Sequence, residues 1–135
     1  GSVTLDRAEG EFDVNTGSGR IEASMVTITG ASEFNTGSGS VEIELGASLN
    51  DDLDISTGSG SATLDFNGNK MEGDFKLETN KRNDITAPFK FDKEYEEEGR
   101  GWRDRDTRII KEAKIGSNNN RISIGTGNGN IRIRK

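Results

Sequence analysis

Four sets of residues in this 135-residue chain are of types and spacings that can do chemistry. Glu22, Glu42, Glu44, Thr63 and Asp65 fall at alternating positions of apolar-polar segments, so they share the outward face of one sheet. Paired carboxylates hydrolyse glycosides at separations of roughly 5–10 Å, a range that neighbouring strands reach. A stripe on an open face has no cleft to desolvate one partner and drive the two pKa values apart. The acidic stripe therefore reads as a binding surface for a polysaccharide or a basic protein patch. The second set, Arg100, Trp102, Arg103 and Arg105, has the composition of an interface hot spot. It would equally suit an indole packed on its own hairpin under arginine. Third come the Gly-Ser-Gly runs, which could hint at a phosphate cradle. A cradle needs a helix after the glycines and usually a lysine. Here strands follow, with Arg20, Ser40 and Ser61 next in line, so the runs read as turns. Asp51, Asp52 and Asp54 read as a solvated turn rather than a cation site. With no Cys and no His, the chain has no thiol nucleophile, no Ser-His-Asp triad and no Cys or His zinc ligand. No catalytic, cofactor-binding or metal residue is assigned, and the chain reads as non-enzymatic.

The elements that must position these residues come from a repeat. Thr-Gly-Ser-Gly occurs at residues 16–19, 36–39 and 57–60, and Thr-Gly-Asn-Gly at 126–129. Both flanks of each run alternate apolar and polar residues, the period of a half-buried strand. Each unit of about 20 residues thus reads as strand, glycine turn, strand, second turn. One unit cannot bury its own apolar face, whereas stacked units bury a continuous core. The turn positions are Gly17, Gly19, Gly37, Gly39, Gly58, Gly60, Gly127 and Gly129. The expected fold is all-β: a single-domain, flattened, right-handed β-solenoid of about five rungs, with two parallel sheets. Its rungs cover about 1–87 and 121–135, and an antiparallel hairpin covering about 88–116 projects from it, with a mobile tip.

The register yields side-chain rows. Phe12, Ser32, Leu53, Phe75 and Ile122 form one, stacked in sequence order, and Val14, Phe34, Ile55, Leu77 and Ile124 the next. Met25 is expected beside Leu45 and Phe66. Thr16, Thr36, Thr57, Thr79 and Thr126 are expected in an outward row with Asn15 and Asn35, hydrogen-bonded along the ladder. Val to the turn glycines Gly17 or Gly37 is expected to destabilise strongly. Gly1-Ser2-Val3-Thr4-Leu5 matches the second half of a rung. The chain therefore reads either as a fragment lacking upstream rungs or as carrying a tag remnant at Gly1-Ser2. The open N-terminal rung is a site for end-to-end self-association.

Composition bounds the function. Val, Ile, Leu and Phe make up only 28 residues against 18 glycines, so the apolar residues must be concentrated in the rows. Residues 1–85 carry 16 acidic and 6 basic side chains, a balance of -10; residues 86–135 carry 8 and 12, a balance of +4. An acidic body argues against nucleic acid, which needs a basic footprint. No run of 18 apolar residues is present, so no direct membrane insertion is expected.

The Thr-Gly-Ser-Gly units, the irregular rung at Asn80-Lys81-Arg82-Asn83, the charged hairpin and the final Gly-Thr-Gly-Asn-Gly rung together resemble bacterial adhesin domains, the toast-rack-like β-solenoids of the cell envelope. The blocks Ser61–Lys70 and Pro88–Lys93 look like Bacteroidetes members. The resemblance implies an extracytoplasmic location, in periplasm or at the cell surface, with a secretion signal upstream. It implies a protein or glycan partner and a role as adhesin or interaction scaffold. An envelope-stress signalling accessory is a second implied role. A polysaccharide-degrading enzyme, drawn only from the solenoid and its acidic face, is a third reading. No cofactor is implied.

Overall fold

The computed structural model describes residues 2–80, 84–97, 108–117 and 119–135. The described residues form strands and turns without a helix, so no helix is long and apolar enough to cross a membrane. The strands make two sheets. The first runs β1 (Val3–Asp6), β4 (Ile21–Ile28), β6 (Val41–Leu45), β8 (Ala62–Asp65), β14 (Ile131–Arg134) and β10 (Ile85–Thr86), with β2 (Glu9–Gly10) also paired to β4. The second runs β3 (Asp13–Ser18), β5 (Ser32–Ser38), β7 (Leu53–Ser59), β13 (Arg121–Asn128), β9 (Gly73–Asn80), β12 (Arg108–Ile115) and β11 (Lys93–Glu97). The first sheet is wholly parallel; the second becomes antiparallel at β12 and β11. This is a mostly parallel, two-sheet β-solenoid stack. Alternation sets the burial: in β7, Leu53, Ile55 and Thr57 are buried while Asp54 and Ser56 face out.

The rows form as expected, but their order does not follow the sequence. Strands β13 and β14 lie between the β7/β8 pair and the β9/β10 pair. Ile122 is opposite Leu53 on one side and Phe75 on the other. The glycine turns explain this. A Cβ on Gly58 would drive into the carbonyl of Gly37, and one on Gly127 into that of Gly58. Gly37, Gly58 and Gly127 are therefore glycine because the turn stacked against each leaves no room for a side chain, whereas nothing lies within 4 Å of the Cβ position at Gly17. The threonines follow the same order. Thr57 Oγ1 donates to Gly39 O at 2.9 Å, Thr126 Oγ1 to Gly60 O at 2.9 Å and Thr79 Oγ1 to Gly129 O at 2.7 Å. The four glycine turns thus form one unbroken column, and the unit without one, β9–β10, stands at its end.

Three further expectations are corrected. The threonine row faces inward: Thr36, Thr57, Thr79 and Thr126 are buried, with their hydroxyls satisfied by turn carbonyls, and only Asn15 and Asn35 face out. Met25 leaves the core row; a register shift between Ala23 and Val26, with Met25 at φ 52°, puts Val26 opposite Leu45 and leaves Met25 exposed. The hairpin does not project from the stack. Strand β12 pairs with β9 over its full length, from Arg108↔Asn80 to Ile115↔Gly73, and β11 pairs with β12. The reason is apolar: Ile109, Ala113 and Ile115 share the inner face and pack on the core. The hairpin tip lies outside the described residues.

Ser32 is the polar member of an apolar row. It is buried, yet its hydroxyl accepts from Phe12 N at 3.0 Å and donates to Gly30 O at 3.0 Å, so it leaves no unmet polar group. At the hairpin end the core is plugged by aromatics. Phe75 and Phe89 have ring centroids 4.9 Å apart, Phe89 and Phe91 5.4 Å, and Lys111 Nζ lies 5.2 Å from the Phe91 centroid.

Candidate functional site

The sequence-derived acidic stripe sits on the outer face of the first sheet. Glu22 is opposite Glu42, Glu42 opposite Thr63, and Glu44 opposite Asp65. The interleaved β14 then brings Arg132 beside Thr63 and Arg134 beside Asp65. Arg20 reaches over the stripe, with Nε 3.2 Å from Glu22 Oε1 and an Nη 2.6 Å from Glu42 Oε2. These two carboxylates raise the pKa of the Arg20 guanidinium, chiefly through the Glu42 hydrogen bond. Asp65 is engaged in a turn, accepting from Asn67 N at 2.8 Å. The stripe is thus a mixed-charge, partly exposed surface, and two of its glutamates, Glu22 and Glu42, are already paired with Arg20. Arg100, Trp102, Arg103 and Arg105 lie outside the described residues.

A large concavity lies on the other sheet. A groove of about 1250 Å³ crosses the outer face of the second sheet near the start of its strands. One transverse row forms its floor. Asp13, Glu33 and Asp54 are mutual register partners on β3, β5 and β7. Ser123 follows on β13, then Lys76 on β9, Glu112 on β12 and Lys93 on β11. At about 4.8 Å per strand the row spans roughly 29 Å. Asp52, Asp74, Lys114 and Arg121 add to its rim. One end is carboxylate-rich and the other carries the lysines.

Local contacts hold these residues. Asn15 Nδ2 donates to Asp13 Oδ1 at 2.8 Å, Asn35 Nδ2 to Glu33 Oε1 at 2.7 Å and to Asn15 Oδ1 at 3.0 Å. Asp52 Oδ1 accepts from Arg121 N at 2.8 Å, tying β13 to the second turn. Asp92 Oδ2 accepts from Lys114 N at 2.7 Å, and Arg108 Nε donates to Glu78 Oε1 at 2.6 Å. Partial burial, and then the nearby Glu33 carboxylate, push the Asp54 carboxyl above its ordinary value. Beyond the lysines, desolvation at the sheet surface and the Glu112 carboxylate raise the Tyr95 phenol; its ring is exposed on the same face.

The groove can hold an extended polar ligand across several strands. Among the described residues no three of His, Cys, Asp and Glu converge as metal ligands. Sequence reading looked for binding on the first sheet, whereas this groove lies on the second. The signal was present in the outward positions of the upstream strands, Asp13, Glu33, Asp54 and Lys76. What hid it was the pairing of β12 and β11 onto β9, which adds Glu112 and Lys93 to the floor, and the interleaving of β13, which adds Ser123 to the floor and Arg121 to the rim.

No curated protein and no solved structure gives a match to the chain. A family model described as Toastrack DUF4097 matches residues 1–90. That stretch takes in β1 to β10, including three of the four glycine turns. With two thirds of its length matched and a mostly parallel two-sheet stack built on the repeat, the chain belongs to the Toastrack DUF4097 family.

Proposed function

We propose that this chain is a non-enzymatic interaction scaffold of the bacterial cell envelope, working outside the cytoplasm, and that it binds an extended glycan or peptide along the groove of the second sheet. The observation that carries this reading is the groove: a bipolar floor of seven side chains on seven paired strands, fixed in register by the ladder. A flat, preorganised array of this kind loses little entropy on binding and suits a repeating polymer. The envelope location rests on the resemblance of the repeat to envelope adhesin domains.

A glycan and peptide array probed with the purified chain tests it. Glu33→Lys with Asp54→Lys, or Lys76→Glu with Lys93→Glu, should lower the signal on the bound species at least tenfold. Glu42→Lys with Glu44→Lys, on the opposite sheet, should leave it unchanged. Loss confined to the Glu42/Glu44 variant would move the site to the first sheet, and release of shortened glycan products would replace the scaffold reading with an enzyme.

A further inference from the structure

Several charges in the groove of the second sheet are left unanswered. Asp54, Lys76, Lys93 and Lys114 make no side-chain hydrogen bond and no ion pair with another described residue. The ladder keeps them apart. Asp54 is two strands from Lys76, across Ser123, a separation of about 9.6 Å. Glu112 stands between Lys76 and Lys93 in the register, but its carboxylate takes the Tyr95 hydroxyl. Asp13 and Glu33 accept from Asn15 and Asn35, neutral donors that leave the carboxylate charge in place. The floor therefore offers a negative run over β3, β5 and β7 and two free lysines on β9 and β11, with neutral Ser123 between.

Spacing and chemistry narrow what can lie on it. Same-face side chains of an extended peptide recur about every 6.7 Å, so two steps, about 13.4 Å, nearly equal three strand spacings, about 14.4 Å. A strand of about nine residues crosses the whole floor. Its five same-face side chains then fall in turn over Asp13, the Glu33 and Asp54 pair, Ser123, Lys76 and Lys93. Long charged side chains bend to absorb the mismatch that remains, about 1–2 Å at the far end. A sugar polymer fits less well, because none of the seven floor residues is aromatic and a pyranose ring finds no flat apolar face to rest on.

We propose that the groove takes an extended protein segment of bipolar charge, lying across the strands. Basic side chains at two alternate positions sit over Asp13, Glu33 and Asp54. A small polar residue follows over Ser123, and acidic side chains at the next two alternate positions sit over Lys76 and Lys93. This rests on the groove being the binding site, as proposed above. The contacts are exposed charge pairs, so added salt weakens them.

The test titrates the capped peptide Lys-Ser-Lys-Ser-Ser-Ser-Glu-Ser-Glu into the isotope-labelled chain and follows amide shifts at Asp13, Asp54, Ser123, Lys76 and Lys93. The peptide Lys-Ser-Glu-Ser-Ser-Ser-Lys-Ser-Glu has the same composition with two charges misplaced, and should bind about tenfold more weakly. Glu33→Lys with Asp54→Lys, or Lys76→Glu with Lys93→Glu, should each weaken the first peptide about tenfold. All four changes together should recover most of the binding with the peptide turned end for end. A nitroxide at its N-terminus should then broaden Lys93 rather than Asp13. Equal binding of the two peptides, or no recovery in the fourfold variant, would overturn the inference. Binding of glucosamine or galacturonic acid oligomers but of neither peptide, lost in the same floor variants, would overturn it while the groove stood as the site. Peptide binding that survives both floor reversals, or no binding by any of these species, would overturn the groove reading as well.

Discussion

At the scale of residues, what stacks in this protein is mostly backbone and very small side chains. The inward threonines replace apolar groups because the turn carbonyls beside them need donors, and Thr57 shares its one hydroxyl hydrogen between Gly39 O at 2.9 Å and Ser59 O at 3.0 Å. The outward residues carry charge in rows, and parallel in-register stacking puts like charges next to each other. Asp54 is the clearest case, beside Glu33 and pushed up by burial and by that neighbour. Its folded-state pKa lies above the unfolded value, so the folded state holds the proton more tightly and stability falls as pH rises through that raised value. Asp54→Asn should therefore melt higher than the parent at pH 7 and the same as the parent near pH 2, where both side chains are neutral. Melting curves across that range check this; an unchanged difference at all pH values would mean that the charge of Asp54 is not the cause. The inward and outward assignments of the large apolar residues were legible in the sequence through simple alternation. The position of Thr was not, because a hydroxyl beside a turn can satisfy itself facing either way, and only the stacked carbonyls decide.

At the scale of elements, the glycine turns and the strands they join were legible, and so was an antiparallel strand pair ahead of the final unit, although its first strand begins at Lys93 and not at Phe89. The stacking order was not. Ile122, Ile124, Ile131 and Ile133 fit the rows equally well beside β9/β10 or between β7/β8 and β9/β10, since an apolar ladder specifies a face and not a neighbour. Steric contact specifies the neighbour. Gly127 and Gly129 need glycine turns beneath them, and Asn80-Lys81-Arg82-Asn83 is not one. The consequence is that the final unit is central. A chain ending at Gly116 loses β13 and β14, which separate β7 from β9 and β8 from β10. It should show no cooperative thermal transition by far-UV circular dichroism, because four fully buried isoleucines and two ladders on each sheet are lost together. A truncated chain that still melted cooperatively, with only a lowered midpoint, would fit a unit added at one end.

At the scale of the whole molecule, interleaving redistributes charge. The sequence separates an acidic first part from a basic last part, but β13 and β14 carry Arg121, Arg132 and Arg134 into the middle of both sheets. Arg134 then stands beside Asp65, and Lys76 lies one strand from Asp54 across Ser123. On the groove floor the same strand order sets Ser123 between the carboxylates of β3, β5 and β7 and Lys76 of β9, with Arg121 at the rim. That order is most directly measured by backbone NOEs in NMR spectra of the intact chain. Contacts should connect β13 to β7, at Ile124 and Ile55, and to β9, at Ile124 and Leu77, with none between β7 and β9. Direct contacts between Ile55 and Leu77 strands, with β13 lying beyond β9, would contradict both the interleaved stack and the groove built on it.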